Sequence, residues 1–315
     1  MEKSLVPAFI LNKYQFDHEI GVGHFSRIYK ATDKDSGLST IIKFIKKNQI
    51  EDAKIKYNLA CPDIDSENLM EINYVSEDDN LIVVISSNEP GENVLNYLNR
   101  LEIISEKVIQ NIFRMILNGV RDCHNKSIII GNIKYENVII FSKNNKIKVK
   151  ISDFFIINVL KMDQEYSSRL YTEMFSSPEF FMREEIVEKS DVWSIGVLLY
   201  CLLSGRKPFD GKEKLQLQQQ ISSGSYTLES DEWNYISEDA KDLIKKMLSV
   251  NIEERITVDQ ALNHPWITQE QSTEPLKYTK ANLKLLSLAR NTNISFYAAK
   301  SSHFFKDIAV YLQKF

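Results

Sequence analysis

Two separated stretches of the chain carry residue types that could bind phosphate groups. The stretch IGVGHFSRIYK, residues 20–30, places Gly21 and Gly23 in a strand–turn–strand setting, and glycine lets backbone N–H groups approach a phosphate closely. Lys43 follows about twenty residues later, at the end of the apolar run STIIK, and its ammonium group could contact the same phosphates. A glycine pair alone usually marks a hairpin turn, and a strand lysine is usually a solvated edge charge. Their order along the chain favours phosphate binding.

The composition describes a globular protein with no obvious affinity for nucleic acid. The 315 residues are 43% hydrophobic and 26% charged, which is enough for two lobes or one large domain. A net charge of -4 provides no basic excess to neutralise nucleic-acid phosphates. The three cysteines (Cys61, Cys123 and Cys201) lack metal-ligand spacing, and their odd number fits a reducing cytosol. We therefore expect a cytoplasmic protein.

No membrane-targeting segment is expected from the sequence. The apolar run after the first methionine is too brief for a signal peptide. The longest apolar stretch, VWSIGVLLYCLL at residues 192–203, is too short to span a bilayer and predicts a buried core helix.

The elements that must position the candidate residues change character near residue 90. The first ninety residues predict strands, because IGVGHFSRIYKAT, LSTIIKFIKK and LIVVIS are rich in β-branched and aromatic residues. Residues 91–315 predict helices, with the long run of residues 95–124 and SEDAKDLIKKMLS, which opens on a capping-box-like stretch, as the clearest segments. This order predicts an α+β protein with a strand-rich small lobe and a helix-rich large lobe.

Three further motifs follow in order: SSPEFF, then DVWSIGVLLYCLLSGRKPF, then NIEERITVDQALNHPW. Together with the glycine loop, Lys43 and the triplet Asp153-Phe154-Phe155, they make residues 14–266 resemble the eukaryotic protein kinase fold. The resemblance implies a bilobal structure with an antiparallel-sheet N-lobe and a helical C-lobe. The stretches YCLLSGRKPFDG and ITVDQALNHPWI resemble calcium-dependent protein kinases, in the calmodulin-dependent kinase group.

The resemblance also implies domain boundaries. We expect an N-terminal extension at 1–13, an N-lobe at 14–88, a C-lobe at 89–266 and, at 267–315, a tail that resembles the junction helix of calcium-dependent kinases. The tail contains apolar residues that favour packing on the parent domain over binding a partner helix: Leu283, Leu286, Phe304, Phe305, Ile308 and Leu312. No calcium-binding loop motif occurs, so no calcium site is expected in this chain.

The site residues implied by the resemblance fall into four groups. The nucleotide-binding group comprises Gly21, Val22, Gly23, Ile28, Ile41, Lys43, Ile85, Ser86, Asn88 and Ile139. The metal ligands are Asn137 and Asp153, and the catalytic loop contributes Asn132 and Lys134. The structural group has three parts. Asp52, or its neighbour Glu51, is expected to pair with Lys43. Asp191 is the second part, and an ion pair between Glu179 and Arg255 is the third.

Several positions depart from the family pattern H-R-D-L-x-x-x-N. Asn132 stands at the aspartate base, Gly131 at the arginine that pairs with a phosphorylated activation segment, and Ile130 at the histidine. Ile41 occupies the position of an alanine that touches adenine, and we expect it to crowd the base. Phe155 replaces the glycine of D-F-G and should restrict that segment. Ser26, at the third loop glycine, is expected to matter less.

Two hypotheses follow from this pattern. The first is a pseudokinase with an impaired ATP and magnesium site, acting as a scaffold or allosteric partner in calcium or phosphorylation signalling. The second is a weakly active Ser/Thr kinase that uses ATP and magnesium, with Glu92 and Glu136 recognising basic substrates.

Overall fold

The computed structural model describes residues 6–22, 26–46, 64–77, 81–144, 146–154, 173–182 and 184–288. Packing divides the described residues into two compact units. The strand-rich unit contains the residues up to 46, with 70–77 and 81–90. The helix-rich unit contains residues 64–69 and those from 91 onward.

The strand-rich unit is built on a five-stranded antiparallel sheet. Its strands are β1 (Tyr14–Val22), β2 (Ser26–Asp33), β3 (Ser39–Lys46), β4 (Ile72–Glu77) and β5 (Leu81–Ser87), in the spatial order β1-β2-β3-β5-β4. Alternate side chains of β3 point to opposite faces. Ile42 and Phe44 are fully buried on one face, in a cluster with Tyr29 and Val83, whereas Ile41 and Lys43 are only half-buried. The period of two thus separates a core face from a face that carries the candidate site.

A short helix precedes the sheet where strands were expected. Helix α1 (Ala8–Lys13) follows Pro7, and its Ile10, together with Val6, has no exposed surface. Both side chains join the core cluster of the sheet, and the phenyl ring of Phe9 packs edge-on against Tyr74. Six residues show too little periodicity to distinguish a helix from an apolar strand, so the prediction of strands for the first ninety residues is wrong at this segment.

The helix-rich unit begins with a small sheet and two helices. A two-residue strand, β6 (Glu92–Asn93), leads into α2 (Val94–Arg100), and α3 (Glu106–His124) follows. The long helical run predicted for 95–124 is therefore interrupted between the two helices. Ser105 restarts the helix because its hydroxyl accepts a hydrogen bond from the backbone N–H of Val108 at 3.4 Å.

A hairpin also interrupts the region that was predicted to be helical. Strands β7 (Val138–Lys143) and β8 (Lys146–Ile151) pair with each other, and β7 pairs with β6. Val138 and Ile140 are buried from one strand and Val149 and Ile151 from the other, so the hairpin has one apolar face. This alternation over six residues was present in the sequence and was misassigned there.

Seven further helices complete the described part of the unit. They are α4 (Pro178–Met182), α5 (Glu188–Ser204), α6 (Lys214–Ser223), α7 (Glu238–Met247), α8 (Val258–Leu262), α9 (Pro265–Thr268) and α10 (residues 279–288). Helix α5 is buried from Ser190 to Ser204, as predicted for VWSIGVLLYCLL. Among the described residues, no helix combines the length and the apolar character needed to cross a lipid bilayer.

Helix α10 packs on the end of α5. The amide of Asn282 donates to the carbonyl oxygen of Ser204 at 2.9 Å, and Leu283 and Leu286 are buried. Gly205, which ends α5 at φ +70°, has no room for a side chain, because an added Cβ would lie 2.5 Å from the Cβ of Asn282. These tail residues thus pack on their own unit. The other apolar tail residues named above (Phe304, Phe305, Ile308 and Leu312) lie outside the described residues.

Candidate nucleotide site and catalytic loop

One face of the strand-rich sheet gathers several of the residues predicted to bind nucleotide. Ile28 pairs directly with Lys43 across β2 and β3, and Ile41 stands two residues before Lys43 on the same face. Gly21 pairs with Ile28 from the β1 side, and an added Cβ there would lie 3.1 Å from the Ile28 Cδ1 atom. Ser86 pairs with Ile41 and shares this face.

Other predicted nucleotide-binding residues are placed differently. Ile85 pairs with Ile42 and is buried in the core cluster, so its side chain lies on the opposite face from Lys43. Asn88 donates from its side-chain amide to the hydroxyl of Ser39 at 2.8 Å, which joins the end of β5 to the start of β3. Gly23, the side chain of Val22, Asp52 with Glu51, and Phe155 lie outside the described residues.

In the helix-rich unit, Asp191 holds the loop that contains Asn132. Asp191 lies in α5 with no exposed surface. Its Oδ1 atom accepts a hydrogen bond from the backbone N–H of Gly131 at 2.6 Å, and its Oδ2 atom accepts one from that of Ile130 at 2.8 Å. His124 Nε2 lies 2.9 Å from Oδ2. Hydrogen bonds to a buried carboxylate are among the stronger ones in proteins, so the loop backbone is well anchored.

The backbone of Gly131 is in a conformation that suits glycine. Its φ of +60° lies in the left-handed region, where a side chain costs roughly 1–2 kcal/mol. Glycine therefore relieves strain at the position where the family pattern has arginine, and it removes the guanidinium group. The neighbouring Ile130 is fully buried, as expected for a residue in an apolar environment.

The two candidate metal ligands are joined through the backbone. The side-chain amide of Asn137 donates to the carbonyl oxygen of Asn132 at 2.9 Å, which leaves its Oδ1 atom as the acceptor oxygen. The N–H of Ser152 donates to the carbonyl oxygen of Asn137 at 2.8 Å. Asp153 comes next and has a φ of +58°, a strained value for a residue other than glycine. Amide and carboxylate oxygens suit magnesium, so the residues present fit this ion.

Three more predicted site residues lie near this loop in the chain. Lys134 is half-buried two residues after Asn132, and Glu136 lies in the 3₁₀ turn Tyr135–Asn137. Ile139 is half-buried in β7, and Gly91 lies so close to it that an added Cβ would sit 2.6 Å from its Cγ2 atom.

Glu92 already has a partner from its own chain. Its Oε1 atom accepts hydrogen bonds from Arg100 Nε at 3.0 Å and Nη2 at 2.7 Å. The hydrogen bond to Glu92 raises the pKa of Arg100. The hypothesis that Glu92 recognises basic substrates did not include this contact with Arg100.

Glu179 and Arg255 form a buried, two-point ion pair. Arg255 Nη1 donates to Glu179 Oε1 at 2.8 Å, and Nη2 donates to Oε2 at 3.0 Å. The hydroxyl of Ser190 donates to Oε1 at 2.6 Å, and the guanidinium lies 5.1 Å from the Trp193 ring centroid. Burial acts to raise the pKa of Glu179, but the hydrogen bonds and charge of Arg255, with the Ser190 hydrogen bond, outweigh it and lower that pKa.

Another buried carboxylate was not predicted from the sequence. Glu106, the first residue of α3, accepts hydrogen bonds at 2.7 Å from the Ser237 N–H, the Ser237 hydroxyl and Trp266 Nε1. It therefore connects α3 to α7 and α9. An acidic residue in a first helical turn is common on the surface too, because it favours the helix dipole, so the sequence contained no signal for burial.

Comparison with known proteins identifies the class to which this structure belongs. The protein kinase domain model matches residues 14–267, so the chain belongs to the protein kinase family. The α+β prediction, with an antiparallel-sheet N-lobe and a helical C-lobe, is confirmed.

The relatives narrow the class to the calmodulin-dependent kinase group. Death-associated protein kinase 2 of Mus musculus is 32% identical over 266 residues, covering 81% of this chain and 71% of that protein. Calcium-dependent protein kinase 29 of Arabidopsis thaliana is 34% identical over 268 residues, covering 83% of this chain and half of that protein. The calcium/calmodulin-dependent protein kinase type II alpha chain of Drosophila melanogaster is 29% identical over 265 residues, again half of its length. The chain is Ser/Thr-kinase-like and lies in this group.

Proposed function

We propose that this protein is a cytoplasmic pseudokinase that acts through protein partners in calcium or phosphorylation signalling, as a scaffold or allosteric subunit. The observation that carries the proposal is Asn132 in a loop whose backbone is otherwise held by Asp191. An amide cannot accept the hydroxyl proton of a substrate, and losing a general base costs roughly 10²- to 10⁴-fold in rate. The loop keeps its framework without the group that would do this chemistry.

Gly131 supports the same proposal from the regulatory side. With no guanidinium at this position, the loop has nothing there to pair with a phosphate on the activation segment. Phosphorylation of that segment would therefore not switch the protein in the usual way of the family.

We propose that the nucleotide site is impaired rather than absent. Ile41 shares a sheet face with Lys43 and adds three carbons where the family pattern has alanine, which would crowd an adenine ring. Lys43, Asn137 and Asp153 remain, and they would contact phosphate and magnesium oxygens if ATP bound. We expect weak binding of Mg-ATP.

Thermal unfolding with and without Mg-ATP tests the state of the nucleotide site. Binding raises the apparent stability by RT ln(1 + [L]/Kd), which is about 2.7 kcal/mol at a hundredfold excess over Kd. We expect a small rise at millimolar nucleotide and a larger one in Ile41→Ala, because alanine restores the missing volume. A matched Ile42→Ala variant, cut back on the core face, should melt earlier without any gain in nucleotide response. An Ile41→Ala response equal to or below the natural one would show that Ile41 is accommodated.

Transfer of phosphate from labelled ATP to a basic peptide tests the loss of activity. We expect background signal from the natural chain and from Asn132→Asp, because catalytic residues that act as a unit are strongly non-additive. Measurable transfer, if any, should need Asn132→Asp with Ile41→Ala and Phe155→Gly. Robust transfer by the natural chain would contradict the pseudokinase proposal.

A second candidate function is a weakly active Ser/Thr protein kinase. It is favoured by the survival of Lys43, Lys134, Asn137 and Asp153 in order along the chain. Under this alternative the natural chain would transfer phosphate slowly but above background, and Asp153→Asn would abolish the signal.

A further inference from the structure

A cavity of about 180 Å³ lies where three helices of the helix-rich unit meet. It is lined by His124, the last residue of α3, and by the first turns of α5 and α8. This volume is below the roughly 300–1,000 Å³ of pockets that hold a drug-sized ligand, so it suits a single side chain or a fragment of similar size. None of the described residues of the nucleotide site or the catalytic loop lines this cavity.

His124 brings a hydrogen-bond acceptor to the cavity. Its side chain is 7% exposed, and its Nε2 atom lies 2.9 Å from Asp191 Oδ2. Because the Asp191 carboxylate is an acceptor, Nε2 carries the proton, and Nδ1 of the neutral imidazole is then an acceptor. No described residue donates a hydrogen bond to Nδ1, which still has contact with solvent. Since the ring is otherwise buried, the cavity is the side from which a donor can reach Nδ1.

The charged groups around the cavity favour a cation. Glu188 and Asp259 line it, and neither carboxylate makes a hydrogen bond or an ion pair with another described residue. Lys189 also lines it, but its ammonium group donates to the carbonyl oxygens of Ile252 and Glu253 at 2.8 and 3.1 Å. The N–H groups at the start of α5 would favour an anion, but Glu188 lies in that first turn and already complements them. An anion would therefore meet two unpaired carboxylates, which would repel it.

Hydrogen bonding and packing narrow the cation to a guanidinium group on an alkyl chain. Arginine has five N–H groups in a fixed plane, so it can donate to Nδ1 and to a carboxylate at once, whereas lysine is a compact, strongly hydrated charge. Val192 and Val258, which are 1% and 5% exposed, provide an apolar wall for the alkyl stem. Among the described residues, no group of three or more His, Cys, Asp or Glu side chains is placed to hold a metal ion, so an organic cation fits the cavity better.

We propose that this cavity binds an arginine side chain of a partner protein, whose guanidinium donates to His124 Nδ1 between the carboxylates of Glu188 and Asp259. The site is linked to the catalytic loop, because Asp191 Oδ2 accepts hydrogen bonds from both His124 Nε2 and the N–H of Ile130. Hydrogen bonds in a chain polarise one another, so a bound arginine strengthens the contact between Asp191 and this N–H. The inference rests on the proposed function only in that the chain binds proteins; it requires neither ATP nor phosphate transfer.

Amide chemical shifts of the isotope-labelled full chain test this inference, with N-acetyl-arginine methylamide as the probe. We expect the amides of Ile130 and of the first turn of α5 to shift as the probe is titrated. The double variant Glu188→Gln with Asp259→Asn should bind the probe roughly 2- to 30-fold more weakly, as expected for the loss of two exposed charge contacts. Both positions are exposed, so its stability should change little. The matched control, Glu102→Gln with Glu229→Gln, removes two exposed carboxylates elsewhere in the same unit and should bind like the natural chain.

Two further probes separate hydrogen bonding from charge. The corresponding lysine compound should bind more weakly than the arginine compound, and its trimethylated form, which has no N–H on the cation, should bind most weakly. The inference is overturned if the arginine probe does not bind, if all three probes bind equally, if the double variant binds like its control, or if inorganic phosphate shifts the same amides more strongly. Binding that leaves the amide of Ile130 unchanged would overturn the link to the catalytic loop. Robust phosphate transfer by the natural chain would overturn the pseudokinase proposal and leave this titration unaffected.

Discussion

Two of the buried carboxylates in the helix-rich unit, Glu179 and Asp191, are held in different ways. Glu179 is bound by side chains, namely the guanidinium of Arg255 and the hydroxyl of Ser190. Asp191 is bound mainly by backbone N–H groups, those of Ile130 and Gly131. A contact between side chains fails when either residue changes, whereas a contact to a backbone N–H survives almost any substitution.

This difference explains how the catalytic loop can depart from the family pattern without losing its shape. Asp191 contacts only the backbone N–H groups of residues 130 and 131. Isoleucine and glycine can therefore stand in place of histidine and arginine without loss of these hydrogen bonds. The Glu179–Arg255 pair has no such freedom, and both of its members match the pattern.

The largest effect is expected from breaking the side-chain pair. Arg255→Ala should lower the free energy of unfolding by about 3–5 kcal/mol, because it leaves the Glu179 carboxylate buried without its cation. Denaturant unfolding followed by tryptophan fluorescence measures this change. The matched control is Arg121→Ala, because the Arg121 side chain is 40% exposed and its contact with Asp122 is a long 3.9 Å. A loss below about 1 kcal/mol would show that the pair contributes little net stability.

Removing the negative charge of Asp191, which accepts hydrogen bonds from the N–H groups of Ile130 and Gly131, should have the next largest effect. In Asp191→Asn one of the two N–H donors would face an amide NH₂ group, and a hydrogen bond to a charged group is worth about 1.5–3 kcal/mol. We expect a loss of that size, together with faster hydrogen exchange at the amide of Gly131. Unchanged hydrogen exchange at the Gly131 amide would mean that Asp191 does not hold the loop.

A side chain at Gly131 should cost less, because it strains one residue without removing a partner. Gly131→Ala should lower the free energy of unfolding by roughly 1–2 kcal/mol, the cost of a left-handed backbone with a Cβ. Asn132→Asp is the control in the same loop and should change stability by less than about 0.5 kcal/mol. Equal effects of the two variants would show that the backbone at 131 is unstrained.

The smallest effect is a change in the slope of stability with pH. The pKa of Glu179 is lower in the folded protein than its ordinary value of 4.5, so the stability from this shift is complete above that pH and is lost as the pH falls through the lower, folded pKa. Urea midpoints between pH 3 and 6 should fall less steeply towards acid in Glu179→Gln than in the natural chain. The exposed Glu253→Gln should keep the natural slope; matching slopes for all three proteins would contradict the linkage.

Much of the fold followed from sequence pattern, and the failures were short elements. The strands β2, β3 and β5, the end of β1 and the buried helix α5 coincide with stretches whose composition or periodicity predicts them. Helix α1 and the β7–β8 hairpin were missed because six-residue segments are decided by their neighbours. Ile10 packs in the core cluster of the sheet from a helix, and Val149 is in a strand because it pairs with β7. These neighbours, and not the local sequence, decide the conformation of the two segments.

The candidate site was predictable where identity alone matters. That residue 132 is an amide, that residue 131 lacks a side chain and that residue 41 is larger than alanine are facts of the sequence. The left-handed backbone at Gly131, the position of Ile85 on the core face and the occupation of Glu92 by Arg100 were not predictable in the same way. Each depends on torsion angles or on contacts that a linear pattern does not specify.

The sequence by itself determined the chemistry that each position can offer, and through the order of its motifs it determined the protein kinase family. The tertiary structure decided which of those groups are buried and which hydrogen-bond donors contact them. Glu106, Glu179 and Asp191 are chemically similar, yet one accepts from a serine and a tryptophan, one from an arginine and a serine, and one chiefly from backbone N–H groups. A carboxylate's role is set by its burial and by the donors that surround it, and in a folded chain those donors come from residues far away in sequence.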